Sequence, residues 1–115
     1  MIHKPKSRAQ TKARLKRLHQ RHLAKVIQAV DARDRNRCRV CKILICAYDL
    51  TRQPHHHHIQ FRSRGGKDTV ENIVLVCSLC HDRIHNSGVL RVSGESASLV
   101  IQQCINNVWY EKEIE

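Results

Sequence analysis

Apolar residues near the start of the chain recur with the period of a helix. Between residues 7 and 30 no Gly or Pro occurs, and the apolar positions near a 3.6-residue period are Leu15, Leu18, Leu23, Val26, Ile27 and Val30. The pattern predicts an amphipathic helix over residues 7–30, with one stripe that can dock on a domain. The next stretch, DARDRNR (31–37), is too charged for a core element and is expected to form a short second helix.

The pattern changes to short strands around one further helix in the second half of the chain. NIVLVC (72–77) is a continuous β-branched run that predicts a buried strand, and SLCHDRIHNSG (78–88) predicts a short helix closed near its Gly. VLRVS and SLVIQQCINNVWYEKEI predict strands within residues 89–115, with turns at SGES and NN. Gly65–Gly66 is expected to form a turn between two strands, where positive φ is needed. The fold class predicted is α+β.

The composition indicates one small domain with a thin core. The 115 residues include only four aromatic residues but six Cys, and a domain of this size often needs a covalent or metal staple. The N-terminal stretch lacks the apolar run of a secretory signal, and no apolar stretch approaches the ~20 residues that cross a bilayer. These features predict a cytoplasmic protein without a membrane partner, in a reducing compartment where Cys more often binds metal.

Positive charge is concentrated in the first third of the chain. Residues 1–37 contain 12 Lys and Arg against two Asp, a net charge of +10, out of +11 for the whole chain. Such a basic block is typical of proteins that bind a polyanion, most often nucleic acid. A solvated helix face that only increases solubility is the alternative.

Two C-x2-C pairs predict a structural zinc site. They are Cys38–Cys41 and Cys77–Cys80, separated by 35 residues. Four thiolates in one place repel each other unless a cation neutralises them, and zinc accepts this set in a closed tetrahedral site. Two redox motifs or unrelated buried thiols are the alternatives. Cys46 and Cys104 lack partner spacing and are expected to be buried, small apolar residues.

Histidines predict a second metal site. His81 and His85 are four residues apart, so a helix would present both imidazoles on one face. A third ligand would have to come from elsewhere, and the run HHHH (55–58) offers one.

The segment 57–85, HHIQFRSRGGKDTVENIVLVCSLCHDRIH, combines these features in one order. It begins with His-His and an apolar residue, continues through a basic Gly-Gly loop and an Asn before a strand, and ends in C-x2-C-H-x3-H. This segment resembles the HNH endonucleases, whose core is a ββα-metal (His-Me) finger. The resemblance implies a small nuclease core stapled by the four-cysteine zinc site at 38–88. The basic helical arm predicted at 1–37 and the C-terminal strands predicted at 89–115 lie outside the resemblance.

The resemblance also implies roles for individual residues. In the family, the His just before the apolar residue is the general base, and the His before it binds metal. With Ile59 as the apolar residue, His58 corresponds to the base and His57 to a ligand. The other implied ligands are His81 and His85.

Three more positions are interpreted through the same resemblance. Asn72 matches the family's Asn, whose side chain braces the loop and orients the base. His55 and His56 match no functional position and are expected to lie in a loop. The family often has an acidic residue where this chain has His56, so the tuning of its metal site is expected to differ.

Elementary chemistry is consistent with these roles. Adjacent strand residues point to opposite sides, so one His can face a metal while its neighbour faces water. An imidazole with an ordinary pKa near 6.5 accepts a proton near neutral pH. Three His ligands leave positions on Mg²⁺, Mn²⁺, Ni²⁺ or Zn²⁺ for a scissile phosphate. Hydrolysis of DNA phosphodiester bonds is therefore expected, with 5′-phosphate and 3′-hydroxyl products by resemblance.

Double-stranded DNA is the expected partner. The basic residues expected to hold its phosphates are Arg62, Arg64 and Lys67 in the loop, and Lys12, Arg14, Lys16, Arg17 and Arg21 in the helix. Small chains resembling this one are often encoded by phages or other mobile elements, and some act beside a packaging terminase. A bacterial or phage-infected cell is thus the expected setting. The competing hypotheses are a non-catalytic zinc module that binds nucleic acid and an effector nuclease that cuts RNA.

Overall fold

The computed structural model describes residues 5, 7–46 and 48–112 and has the expected α+β architecture. Its helices are α1 (Arg8–Arg33) and α2 (Ser78–His85), and a 3₁₀ turn covers Arg62–Arg64. The strands are β1 (Pro54–His58), β2 (Ile73–Cys77), β3 (Leu90–Glu95), β4 (Ser98–Ile105) and β5 (Val108–Lys112). Strands β1 and β2 form one antiparallel sheet, and β3, β4 and β5 form a second in that order. Neither helix combines the length and apolar character needed to span a membrane.

Helix α1 buries apolar side chains only in its C-terminal half. It begins with a capping box, in which Ser7 Oγ accepts from the Gln10 amide and Gln10 Oε1 accepts from the Ser7 amide. Val26 and Val30 are buried in the core. The N-terminal half of the predicted stripe does not dock, because Leu15 and Leu18 are 61% and 48% exposed.

The interpretation of residues 31–37 was wrong in two respects. Residues 31–33 continue α1, and residues 34–36 form a turn instead of a second helix. Asp34 is also only 7% exposed, although the segment looked too charged for the core. Its carboxylate accepts hydrogen bonds from Arg33, Arg39 and the backbone amide of Leu75. A buried charge is tolerated because every side of it is paired.

These partners tie α1 to the rest of the molecule. Arg33 also donates to the carbonyl oxygens of Val70 and Ile73, and Arg39 donates to that of Ser96. Burial alone would raise the pKa of Asp34, but hydrogen bonds from Arg33, Leu75 and Arg39 hold it below its usual value. The end of α1, the start of β2 and the C-terminal sheet are therefore joined at one carboxylate.

Strands β1 and β2 and helix α2 form the predicted finger. Strand β2 is buried along its whole length, as its β-branched sequence predicts. The four histidines are paired to it within β1, from His55 opposite Val76 to His58 opposite Ile73. The expectation that His55 and His56 lie in a loop was therefore wrong.

Predictions were also made for Gly65–Gly66 and for the two cysteines outside the C-x2-C pairs. Gly65 has φ of 84°, as predicted for the turn. Gly66 is needed for a different reason, because a Cβ there would collide with the backbone of Gln60 and Phe61. Both Cys46 and Cys104 were expected to be buried; Cys46 is exposed, so that expectation was wrong, and Cys104 is only half-buried.

The C-terminal strands form a meander beside the finger. The β4–β5 turn uses Asn106 and Asn107 with φ of 51° and 63°, which is the geometry that the Asn pair predicted. The β3–β4 turn lies at residues 96–97, slightly later than SGES suggested. The amide of Ser96 donates to the carbonyl of Glu71 at 3.0 Å, which fixes this sheet to the loop before β2.

The proposed division into segments 1–37, 38–88 and 89–115 stays a prediction.

Candidate metal centres and catalytic site

The four cysteines of the two C-x2-C pairs meet in one cluster. The sulfurs of Cys38, Cys41, Cys77 and Cys80 all lie within 4.8 Å of one another. The Cys41 and Cys77 sulfurs are 3.8 Å apart, and two thiolates bound at ~2.3 Å to one tetrahedral ion would be about 3.8 Å apart. The cluster therefore fits a zinc ion, although the identity of the metal stays a prediction.

Electrostatics in this cluster also favours a cation. A hydrogen bond from Cys80 lowers the pKa of the Cys38 thiol to about 4, whereas the same contact, with burial, raises that of Cys80. A second thiolate is thus disfavoured beside the first unless positive charge is added. Arg52 Nη1 lies 3.5 Å from the Cys41 sulfur, so it offsets part of the excess negative charge of a four-thiolate site.

The four histidines of β1 divide between two faces. His55 and His57 contact α2, where their partners are His81 and His85. The other two face carboxylates: His56 contacts Asp31 of α1 at 2.7 Å, and His58 contacts Asp68 at 2.6 Å. This split follows from strand geometry, since alternate side chains point to opposite sides.

The three predicted histidine ligands lie together. His57, His81 and His85 each present a nitrogen within 4.8 Å of the others. His57 Nδ1 is 3.3 Å from His85 Nε2, close to the ~3.4 Å between two nitrogens bound at ~2.1 Å to one tetrahedral ion. Their predicted role as ligands is a proposal that this arrangement supports.

Burial keeps two of these imidazoles neutral, as metal ligands must be. His57 is only 1% exposed. Burial, and then the neighbouring His85 and His81, lower the pKa of His57 to about 4. Burial, His85 and His55 likewise lower the pKa of His81 to about 4. Within the described residues, the buried Nε2 of His57 has no hydrogen-bond partner, and the other ring nitrogen, Nδ1, faces His85.

His55 braces one of these rings. Its Nδ1 lies 2.7 Å from Nδ1 of His81, so one of the two rings donates to the other. Metal-binding histidines are commonly oriented by a hydrogen bond to their second nitrogen. His55 therefore fixes the orientation of His81, a role that sequence reasoning missed.

The hydrogen bond between His58 and Asp68 determines which nitrogen of His58 carries its proton. Burial alone would raise the pKa of Asp68, but hydrogen bonds from His58 and Arg62 lower it overall, so this carboxylate is ionised and accepts. His58 Nε2 must therefore donate, which leaves Nδ1 of the neutral ring as an acceptor. Arg62 Nε lies 3.1 Å from Asp68 Oδ1 and 3.3 Å from His58 Nε2. Because Arg62 Nε and His58 Nε2 are both donors, we assign the hydrogen bond of Arg62 Nε to the carboxylate.

Asn72 braces the loop rather than the ring of His58. Its Oδ1 accepts from the Gln60 amide at 2.8 Å, and its Nδ2 donates to the carbonyls of Gln60 and Lys67 at 3.1 and 2.9 Å. Its own carbonyl accepts from the Ile59 amide. The residue in hydrogen-bond contact with His58 is Asp68, so any effect of Asn72 on His58 acts through the loop backbone.

The three basic loop residues lie at three different depressions. Arg62 lines a pocket of about 490 Å³ together with the histidines of both faces. Arg64 lines a second pocket, between the finger and β3. Lys67 lines a third, which also contains Glu71 and Glu95. The predicted phosphate contacts are thus spread over three depressions, of which the first two share His57 and Phe61.

Helix α1 passes beside the histidine pocket. Its Ile27 lines that pocket, and His19 Nε2 and His22 Nε2 lie 3.3 and 3.2 Å from the Asp68 side chain and carbonyl. The basic residues predicted to grip DNA, all exposed, lie on this helix and are Lys12, Arg14, Lys16, Arg17 and Arg21. Positive charge therefore extends away from the pocket along the projecting half of α1.

The chain was compared with protein families, curated proteins and solved structures. Residues 38–87 match the family model described as HNH endonuclease. This segment contains both C-x2-C pairs, the four histidines of β1 and helix α2, whereas α1 and the C-terminal sheet lie outside it. No curated protein and no solved structure matches the chain significantly.

Proposed function

We propose that the protein is a metal-dependent endonuclease that hydrolyses DNA phosphodiester bonds, because residues 38–87 match the HNH endonuclease family model. The observation that carries this proposal is a single pocket lined by His58 and by the three clustered imidazoles. A non-catalytic zinc module would need the cysteines and the basic helix. It would have no use for an oriented His58 beside three clustered imidazoles.

In the proposed reaction, His58 is the general base. Its Nδ1 accepts a proton from a water molecule while Asp68 holds Nε2 and stabilises the imidazolium that forms. The water oxygen bonds to phosphorus as the bond from phosphorus to the 3′-oxygen breaks, and the leaving 3′-oxygen takes a proton from solvent, which gives 5′-phosphate and 3′-hydroxyl ends. A divalent cation held by His57, His81 and His85 would supply charge stabilisation at the leaving oxygen.

Other residues of the pocket position the substrate. Arg62 lies on the pocket wall with its side chain 56% exposed, and Asp68 holds its guanidinium, so it is placed to bind a non-bridging phosphate oxygen. Asn72 fixes the loop that carries Arg62. Helix α1 adds phosphate contacts beyond the pocket, which would hold duplex DNA without reading its sequence.

Cleavage of supercoiled plasmid tests the proposal. Zinc-loaded protein is incubated with plasmid and, in turn, Mg²⁺, Mn²⁺, Ni²⁺ and additional Zn²⁺, beside the His58→Ala variant. We expect nicked or linear product with at least one ion and none from the variant, whose melting temperature should be unchanged. Undiminished cleavage by His58→Ala would refute the assignment of the base. RNA in a parallel reaction tests the RNA-cleaving alternative, and action beside a phage terminase stays a prediction from resemblance.

A further inference from the structure

A second cleft adjoins the histidine pocket. It has a volume of about 480 Å³ and lies between the finger and the edge strand β3. This volume is within the ~300–1,000 Å³ typical of small-ligand sites. Two residues, His57 and Phe61, line both the cleft and the histidine pocket. A group bound in the cleft would thus be a direct neighbour of the metal ligands.

The cleft combines an apolar surface with positive charge. Ile59, Ile84, Leu90 and Val92 supply the apolar part, Arg64 and Arg91 supply two cations, and none of its lining residues is acidic. Arg64 lies in a depression lined by no carboxylate, whereas Lys67 shares its depression with Glu71 and Glu95, and Arg62 is paired with Asp68. An anionic ligand with a flat apolar portion fits these walls.

One of the two cations is held in place. The Arg91 guanidinium lies 3.8 Å from the ring centroid of Trp109, a cation–π contact that restricts its position. Arg91 and Gln102 are cross-strand neighbours, and both line the cleft. The wall formed by the C-terminal sheet thus offers an oriented cation beside an amide that can both donate and accept.

Phe61 forms the boundary between the two cavities. Its ring centroid is 5.8 Å from that of His57 and 5.1 Å from that of His85. An aromatic ring next to a phosphate-binding site is a suitable stacking partner for a nucleobase. A base in a duplex is stacked and paired, so only an unpaired nucleotide can enter a cleft of this size.

We propose that this cleft binds an unpaired nucleotide next to the scissile phosphate. Arg64 and Arg91 hold its phosphate, and the apolar wall receives its base. The inference rests on the proposed nuclease function and makes DNA with unpaired nucleotides at the cut site, such as a gap or a flap, the preferred substrate over intact duplex. An anionic peptide is the alternative occupant, and it would give no dependence on the pairing of DNA.

Binding of fluorescein-labelled DNA to the His58→Ala protein tests the cleft separately from cleavage. The probes are an intact duplex and the same duplex with a single-nucleotide gap, compared by anisotropy. We expect the gapped probe to bind about tenfold tighter, the size of effect that base stacking gives. A second substitution, Ser93→Trp, fills the cleft from an exposed position and should abolish this preference. The matched Ser98→Trp, exposed on β4 outside the cleft lining, should retain it.

Each result has one meaning. Equal binding of both probes, or a gap preference that persists in Ser93→Trp, would overturn the proposal that the cleft binds an unpaired nucleotide. The proposed nuclease function would still stand if the protein cuts plasmid. A gap preference removed by Ser93→Trp supports the cleft even if no substrate is cleaved, in which case only the proposed function fails. Should Ser93→Trp not fold by thermal melting, Arg91→Gln replaces it and should reduce the preference in the same way.

Discussion

His58 Nε2 lies 2.6 Å from Asp68 Oδ1, ten residues further along the chain. Arg62 and His19 contact the same carboxylate at 3.0 and 3.3 Å. Asp68 therefore joins the proposed base, a proposed phosphate ligand and the basic helix. A shift in any one of these elements would be transmitted to the ring of His58.

Replacing Asp68 by Asn should impair the chemical step. The amide keeps the shape but loses the charge that stabilises a protonated His58, and it can no longer fix the proton on Nε2. We expect kcat for plasmid nicking to fall about 10- to 100-fold, with KM nearly unchanged. Steady-state kinetics at saturating metal measure both constants.

Glu71→Gln provides the matched control for this substitution. Glu71 is an exposed carboxylate in the same loop, so its neutralisation removes the same charge without touching His58. An equal fall in kcat in both variants would attribute the effect to net charge. A rise in KM alone for Asp68→Asn would assign Asp68 to DNA binding through Arg62.

The finger could be predicted from sequence because its signals are local. The β-branched run of β2, the C-x2-C pairs and the spacing of His81 and His85 each depend on neighbouring residues. The partners of the β1 histidines could not be predicted from the sequence. Asp31 is 25 residues from His56 and Asp68 is 10 residues from His58, so these contacts depend on the tertiary structure. The only available signal for Asp68 was an acidic residue within a basic, Gly-containing loop.

Asp34 and Leu15 are two residues whose burial was predicted wrongly from the sequence. A charged residue was assigned to the surface but is buried, because three donors from different elements converge on it. An apolar residue was assigned to a docked stripe but is 61% exposed. Periodicity gives the face of a helix but not the length over which that face is covered.

Loss of one cysteine ligand should destabilise the fold sharply. Cys77 is buried within the four-cysteine cluster, and structural zinc supplies on the order of 10 kcal/mol of folding free energy. We expect Cys77→Ser to lower the melting temperature by more than about 15 °C and to release zinc. The exposed Cys46 provides the control, since Cys46→Ser should melt like the wild type. Equal melting of all three proteins would exclude a structural metal at these cysteines.

Metal content should distinguish a ligand from the base. We expect wild-type protein saturated with Zn²⁺ or Ni²⁺ to bind two ions per chain, and His85→Ala to bind one. His58→Ala should still bind two, although both variants lose cleavage. Elemental analysis after gel filtration gives the stoichiometry. Two ions retained by His85→Ala would place the second cation elsewhere.

The salt dependence of DNA binding should depend on the projecting half of α1. Replacing its five exposed basic residues by Gln should leave the docked half intact; the positions are Lys12, Arg14, Lys16, Arg17 and Arg21. The slope of log K against log[salt] should fall by about 0.9 for each residue that neutralises a phosphate. Fluorescence anisotropy at salt concentrations from about 50 to about 200 mM measures it. Arg35→Gln is the control, since it removes one charge beyond the end of α1. If it lowers the slope as much per charge as the helix substitutions do, net charge and not the projecting half of α1 determines the slope.

Acid should destabilise the protein when the histidine cluster holds no cation. The folded-state pKa of His57 is about 4, below the ~6.5 of an unfolded chain. Between these values the unfolded state binds more protons, so the free energy of unfolding falls as pH falls. The His57 contribution lost between pH 7 and pH 5 is about 2 kcal/mol. Urea unfolding of protein carrying one equivalent of zinc measures this slope, and His57→Asn should reduce it by that amount. A slope identical in the two proteins would show that burial does not disfavour the charged form of His57.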